Sequence, residues 1–92
     1  MKRQVLIVED DETLRASLAQ TLELADITPI PTVGFLQARR SIRRNFAGVI
    51  LSDIRMPDYS GFDVLSFAQS VDQDLPVILL TAHSDVPTAM KA

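Results

Sequence analysis

The chain has 92 residues, no cysteine and a formal net charge of -3. This length suits one small domain, and a hydrophobic fraction of 47% is sufficient for a core. The absence of cysteine excludes disulfides and thiolate sites. The acidic balance disfavours direct nucleic-acid contact by this segment, which usually needs a basic face. The apolar run behind the basic amino terminus is too short for a signal peptide or membrane span, so we expect no membrane segment and a cytoplasmic location.

Apolar segments alternate with amphipathic ones along the first half of the chain. The apolar run 5–8 is typical of a parallel strand covered on both faces, and leucines recur every fourth residue in a helix predicted over 12–26. The second strand, 27–31, contains two prolines and therefore belongs at a sheet edge. A second helix is predicted over 34–45, with Thr32 as its cap.

Two more strands and two more helices follow. Residues 49–53 form a strand that ends at Asp53, a helix opens at Gly61, and 77–80 form a fourth buried strand. A fourth helix is predicted beyond residue 84. Strands that alternate with helices imply right-handed crossovers and a parallel sheet, and the proline-containing edge strand gives the order 2-1-3-4.

Aspartates follow strand ends that become neighbours in this order. Asp10 and Asp11 follow the first strand, and Asp53 ends the third, where we expect a solvent-reachable crevice because a carboxylate is costly to bury. Side chains at adjacent parallel strand ends lie close enough to share an ion. Carboxylates at one place repel each other unless a cation is present, and hard oxygen ligands suit Mg²⁺. The pattern therefore predicts an acidic, Mg²⁺-binding pocket at this edge of the sheet.

A simpler interpretation stays open for each of these acids. Asp10 and Asp11 precede a helix, where acidic residues commonly act as caps, and Asp53 could be an ordinary turn residue. Their conjunction at neighbouring strand ends favours the pocket, but spacing alone does not indicate phosphorylation. On the first predicted helix, Arg15 is placed on the side that faces water.

The sequence resembles the receiver domain of two-component response regulators. The resemblance rests on Gly61 and on three runs in the same order, at residues 5–11 (VLIVEDD), 50–57 (ILSDIRMP) and 75–82 (LPVILLTA). The segment that begins at Thr81 is similar to receivers of nitrogen-regulatory-type activators, especially regulators of dicarboxylate transport. The resemblance implies an α/β fold of the flavodoxin-like type, with a doubly wound parallel sheet.

The resemblance also implies a role for each site residue. Asp53 matches the phosphoacceptor, which attacks the phosphohistidine of a sensor histidine kinase, while Asp10 and Asp11 match the acid pair that holds Mg²⁺. Arg55 matches the position whose backbone carbonyl completes the metal shell, and Thr81 matches the switch hydroxyl that binds a phosphoryl oxygen. The implied function is a phosphoacceptor regulatory domain that assists its own phosphorylation and dephosphorylation, and not a separate enzyme.

One feature of the family has no counterpart in this sequence. Receivers carry a lysine at the end of a fifth strand, whereas Lys2 precedes the first strand and Lys91 lies in the predicted fourth helix. Residues 1–92 therefore resemble the amino-terminal part of a truncated receiver that lacks the fifth strand and last helix. We expect the full-length protein to carry C-terminal ATPase and DNA-binding domains, and we expect a homodimer as a further association.

Two other functions stay open at this point. One is a Mg²⁺-dependent hydrolase that forms an aspartyl-phosphate, although such phosphatases usually have a second aspartate where Arg55 stands here. The other is a receiver-like dimerisation module that is never phosphorylated, which the missing lysine favours.

Overall fold

The computed structural model describes residues 3–57 and 59–80. Within these ranges the elements are β1 (Gln4–Val8), α1 (Glu12–Leu24), β2 (Thr28–Thr32), α2 (Phe35–Ala38), β3 (Gly48–Asp53), α3 (Gly61–Val71) and β4 (Val77–Leu80). Every strand pair is parallel, and the sheet order β2-β1-β3-β4 confirms the predicted order. The predicted fourth helix lies outside the described residues. In the described ranges, no helix is long and apolar enough to cross a membrane.

β1 lies inside the sheet, between β2 and β3, and contributes side chains to both faces. Leu6 and Val8 are completely buried in a core shared with α2, α3 and the segments that follow them. The other buried members of this core are Ala38, Ile42, Phe46, Ile50, Val64, Ala68 and Leu75. Ile7 is equally buried but points to the opposite face, where α1 packs against β1 and β2. Helices on both faces explain why β1 is a continuous apolar run.

β2 is the edge strand that its prolines predicted. Its even-numbered residues bond to β1; for example, the Thr28 N–H donates to the Arg3 carbonyl over 2.8 Å. Alternate residues of a strand bond to opposite sides, so Pro29 and Pro31 face away from β1, where the missing N–H leaves no bond unmade. The prolines thereby hinder another strand from pairing with this edge of the sheet.

The prediction of Thr32 as the cap of α2 is wrong. Thr32 is the last residue of β2, and its buried hydroxyl donates to the Ile7 carbonyl over 2.6 Å. This bond satisfies a buried polar group and fixes the end of β2 against β1. The residue that caps α2 is Gly34, which makes no side-chain hydrogen bond.

α2 is much shorter than the predicted helix over 34–45. It ends at Ala38, and the chain continues through tighter bonds, such as the one from the Ser41 N–H to the Ala38 carbonyl at 2.9 Å. Asn45 then adopts a left-handed φ of 64°, which a continuing helix does not allow. Like charges three or four residues apart destabilise a helix. The exposed residues that create this repulsion are Arg39, Arg40, Arg43 and Arg44.

α1 ends in a Schellman motif. The Ile27 N–H donates to the Leu22 carbonyl over 2.9 Å, and the Asp26 N–H donates to the Glu23 carbonyl over 3.0 Å. Asp26 has a φ of 61°, a left-handed conformation that glycine adopts without the steric penalty of a Cβ atom. Its charge also stands at the C-terminal end of the helix, where the helix dipole disfavours an anion.

We predict that Asp26→Gly stabilises the fold by about 0.5–1 kcal/mol, because the strain and the unfavourable charge both disappear. The free energy of unfolding in urea measures this gain. Asp26→Asn removes only the charge and should give a smaller gain, so it serves as the matched control. A loss of stability in Asp26→Gly would contradict this account of the helix end.

Candidate functional site

The candidate site lies at the carboxyl ends of β1 and β3. These parallel strands are neighbours with Val8 opposite Ser52, so the residues that follow them come together. Asp53 is the last residue of β3, and Glu9 and Asp10 directly follow β1. One carboxylate oxygen from each of these three acids lies within 4.8 Å of the other two. The structure therefore brings two of the predicted aspartates together and adds Glu9 to them.

Asp11 lies beside this cluster and has another structural role. It is the N-cap residue of α1, and its Oδ1 accepts a hydrogen bond from the Leu14 N–H over 3.0 Å. The sequence left two roles open for Asp11, a helix cap and a metal ligand, and Asp11 has the first of these roles in the structure. Its role as a metal ligand stays a prediction.

Glu9 is the site residue that the sequence interpretation missed. Its side chain is buried, and its Oε2 accepts a hydrogen bond from the Asp11 N–H over 3.0 Å. Its Oε1 is buried and has no hydrogen-bond partner among the described residues. The available signal was its position: of the four consecutive acids at residues 9–12, Glu9 is the one nearest to the strand end and thus to the neighbouring strand.

Burial raises the pKa of the Glu9 carboxyl. The hydrogen bond from the Asp11 N–H acts in the opposite direction, whereas the negative charge of Asp53 and the neighbouring Asp10 raise the pKa further. An ionised Glu9 is therefore costly in this place. A buried carboxylate oxygen without a partner, beside two other carboxylates, is what a bound cation would satisfy. Because the donors are all oxygens, the set fits Mg²⁺.

Asp53 is more deeply buried than the predicted solvent-reachable crevice implied. Its exposed fraction is 1%, whereas Asp10 is an exposed residue. The reason is that β3 pairs through its last residue, with Asp53 opposite Leu80, before the chain turns. The Gly61 N–H then donates to the Ile54 carbonyl over 2.8 Å, so the start of α3 covers the end of β3.

Gly61 allows α3 to begin directly beside the backbone of Asp53. A Cβ atom at this position would lie 2.6 Å from the Asp53 carbonyl oxygen and 3.0 Å from the Ile54 Cα. Ser60 and Asp63 form a capping box at the same helix end, in which each side chain bonds to the backbone of the other residue. The close contact and the cap together fix the chain that follows the candidate phosphoacceptor.

Two further site residues, Arg55 and Thr81, were predicted from the sequence. Arg55 follows β3 and has an exposed side chain, and the role of its carbonyl as a metal ligand stays a prediction. Thr81 lies outside the described residues.

A comparison with protein families decides the family of this chain. The family model for the response regulator receiver domain matches residues 5–92. The chain belongs to this family. It is therefore a regulatory domain of the two-component response regulator type, as the resemblance implied, and the receiver fold agrees with the observed sheet order.

Curated relatives of this receiver domain are transcriptional regulators. It is 40% identical over 88 residues to the C4-dicarboxylate transport transcriptional regulatory protein DctD of Rhizobium meliloti (strain 1021), covering 96% of this chain and 19% of that protein. It is 43% identical over 89 residues to DctD of Pseudomonas aeruginosa, covering 97% and 19%. The chain thus spans about a fifth of the length of these relatives.

Solved receiver structures superpose well on this one. The non-phosphorylated HemR receiver domain from Leptospira biflexa matches with a TM-score of 0.84 at 30% identity, covering 98% of this chain and 73% of that chain. The beryllofluoride-activated NtrC4 receiver domain dimer matches with a TM-score of 0.80 at 34% identity, covering 96% and 73%. Both comparisons agree with the receiver fold.

We predict that Gly61→Ala destabilises the fold by about 1–3 kcal/mol, because its methyl group forces the backbone at Asp53 and the start of α3 apart. The matched control is Gly34→Ala, since a Cβ at Gly34 meets nothing within 4 Å and its φ of 179° is ordinary extended backbone. The control should change the free energy of unfolding by less than about 0.5 kcal/mol. Equal effects of the two substitutions would contradict the tight contact.

A second prediction concerns the charge of Glu9. Near neutral pH and without metal, Glu9→Gln should stabilise the protein by roughly 1–2 kcal/mol, because an ionised buried carboxylate is removed. The pKa of Glu9 is raised on folding, so its protonated form stabilises the fold at low pH, and this stabilisation is lost as the pH rises through the folded-state pKa. The advantage of Glu9→Gln should therefore vanish below about pH 4, where glutamate is protonated in both states.

Urea denaturation in the presence of a chelator, at both pH values, measures the effect of Glu9→Gln. The matched control is Glu23→Gln on the exposed side of α1, which removes one charge remote from the cluster and should change stability by less than about 0.5 kcal/mol. A gain in Glu9→Gln that is independent of pH would show that the ionised carboxylate is not its cause.

Proposed function

We propose that this receiver domain is a phosphoacceptor module, in which Asp53 accepts a phosphoryl group from the phosphohistidine of a sensor histidine kinase in a Mg²⁺-dependent reaction. The observation that carries the proposal is the convergence of the Glu9, Asp10 and Asp53 carboxylates within 4.8 Å at one edge of the sheet. Membership in the receiver family supports the proposal.

The residues that would hold the metal ion are Glu9, Asp10 and Asp53, joined by the Arg55 carbonyl and, directly or through water, by Asp11. When bound, Mg²⁺ offsets the negative charge on the phosphoryl group during transfer. The unpartnered Glu9 Oε1 supports this assignment, because a cation would supply the interaction that it lacks among the described residues.

The transfer itself is a substitution at phosphorus. A carboxylate oxygen of Asp53 attacks, a P–O bond forms, and the P–N bond to the kinase histidine breaks, with its electron pair returning to the imidazole. Burial of the Asp53 side chain holds the nucleophile at the end of β3 and limits the access of water to the resulting acyl phosphate. Thr81 is the proposed switch hydroxyl, which donates to a phosphoryl oxygen.

The proposed context is a cytoplasmic transcriptional regulator that controls genes through further domains. The names of the relatives, which are transcriptional regulatory proteins for C4-dicarboxylate transport, support an output of this kind. We propose C-terminal ATPase and DNA-binding domains as the partners that phosphorylation controls. The receiver dimer described for NtrC4 supports a homodimer as an additional association.

We predict that the full-length protein gains the mass of one phosphoryl group when it is incubated with Mg²⁺ and a small phosphodonor such as acetyl phosphate. Intact-protein mass spectrometry measures the gain. Asp53→Asn should abolish the gain, because the nucleophile is lost, and a chelator should abolish it in the unchanged protein. Asp74→Asn, at an exposed aspartate in the turn that follows α3, is the control and should still be phosphorylated.

No mass gain in the unchanged protein, or a gain that survives Asp53→Asn, would refute the proposed function. Steady turnover of phosphate esters, without a lasting mass gain, would instead indicate the aspartyl-phosphate hydrolase.

A further inference from the structure

Arg15, in α1, donates hydrogen bonds to the backbone of residues 9–11, which form the acidic turn between β1 and α1. The sequence predicted a solvent-facing side chain, but Arg15 is half-buried in the structure. Its Nη1 donates to the Glu9 carbonyl over 3.0 Å and approaches the Asp10 carbonyl at 3.4 Å. The expectation that Arg15 faces water is therefore wrong, and the guanidinium instead joins α1 to the two acids that follow β1.

These contacts complete a closed set of bonds around the acidic turn. The Asp11 N–H donates to the Glu9 carboxylate over 3.0 Å, and the Asp11 side chain caps α1 through the Leu14 N–H. The Arg15 N–H donates to the Asp11 carbonyl over 2.8 Å. Peptide orientation sets the direction of the attached side chains, so a guanidinium on the Glu9 and Asp10 carbonyls fixes the directions in which both carboxylates project.

We propose that Arg15 is a positioning residue for the metal site, which holds Glu9 and Asp10 in the orientation that lets them share a cation with Asp53. This inference rests on the proposed function, since it assumes that the cluster binds Mg²⁺. Arg15 donates to backbone carbonyls and is half-buried beneath the turn, so the geometry assigns it no contact with the phosphoryl group.

The direction in which Mg²⁺ affinity changes when Arg15 is replaced distinguishes a positioning role from a purely electrostatic one. A guanidinium near a cation site repels the cation, so a residue that acted only through its charge would weaken Mg²⁺ binding, and its removal would strengthen binding. A positioning residue has the opposite effect. Loss of a hydrogen-bonded partner that orients metal ligands typically weakens metal affinity by about 10–100-fold.

The test is isothermal titration of the purified protein with Mg²⁺, comparing the unchanged protein with Arg15→Met and Arg15→Lys. Methionine keeps most of the apolar stem but cannot donate, so Arg15→Met should weaken Mg²⁺ binding by about 10-fold or more. Lysine can donate to one carbonyl, so Arg15→Lys should recover a large part of the affinity. Arg39→Met, which removes an exposed charge after α2, should leave the affinity within about twofold.

A second readout excludes a purely structural role. The rate of phosphorylation by acetyl phosphate should fall in Arg15→Met at limiting Mg²⁺ and return close to the rate of the unchanged protein at saturating Mg²⁺, because only occupancy of the metal site is impaired. A structural residue would instead lower the free energy of unfolding and leave the affinity of the folded fraction unchanged.

The outcomes distinguish this inference from the proposed function. Unchanged or tighter Mg²⁺ binding in Arg15→Met would overturn the inference alone, with the phosphoacceptor proposal intact. Absence of Mg²⁺ binding and of phosphorylation in the unchanged protein would overturn both. Weaker binding in Arg15→Met, together with recovery in Arg15→Lys and at saturating Mg²⁺, is the result that the geometry predicts.

Discussion

Repulsion among three carboxylates at the end of a buried sheet is the physical constraint on which the site depends. Glu9 and Asp53 are almost completely buried, and one oxygen of each lies within 4.8 Å of the other and of Asp10. Such a cluster destabilises the metal-free protein, because the buried Glu9 and Asp53 carboxylates are removed from water beside another group of the same sign. A fold retains an arrangement of this kind where a bound cation or a reaction requires it, because functional sites commonly reduce the stability of the protein that carries them.

The sheet order is what brings these acids together. Pro29 and Pro31 leave β2 without outward donors, so β2 forms an edge and β1 lies between β2 and β3. β1 and β3 are then neighbours, although a complete strand and two helices separate them in the chain. The carboxyl ends of neighbouring parallel strands meet at one edge of the sheet, where Glu9, Asp10 and Asp53 converge. Pro29 and Pro31 in the edge strand β2 thus help to bring β1 and β3 together, and with them the acids of the candidate site.

Sequence patterns were sufficient for the order of the elements and for the place of the site, because both follow from apolar runs, prolines and acids at strand ends. They were not sufficient to distinguish Glu9 from Asp11. Both belong to a run of four acids at residues 9–12, which look alike in sequence. Contacts across the turn decide their roles: Glu9 turns inward, Asp10 is exposed, and Asp11 caps α1. Tertiary contacts likewise gave Thr32 a bond to β1 in place of its predicted capping role.

Backbone pairing between β3 and β4 connects the site to the end of β4. Asp53 is paired with Leu80, and the Ile54 N–H donates to the Leu80 carbonyl over 3.0 Å, so backbone hydrogen bonding holds the ends of β3 and β4 together. Phosphorylation of Asp53 would add about -1.5 to -2 charges where carboxylates already repel each other. Since Gly61 and the capping box hold the chain after β3 in place, we propose that this change of charge acts most directly through the pairing with β4. The residue that follows Leu80 in the sequence is Thr81, the proposed switch hydroxyl, so the strand that pairs with the proposed phosphoacceptor leads directly to the proposed switch.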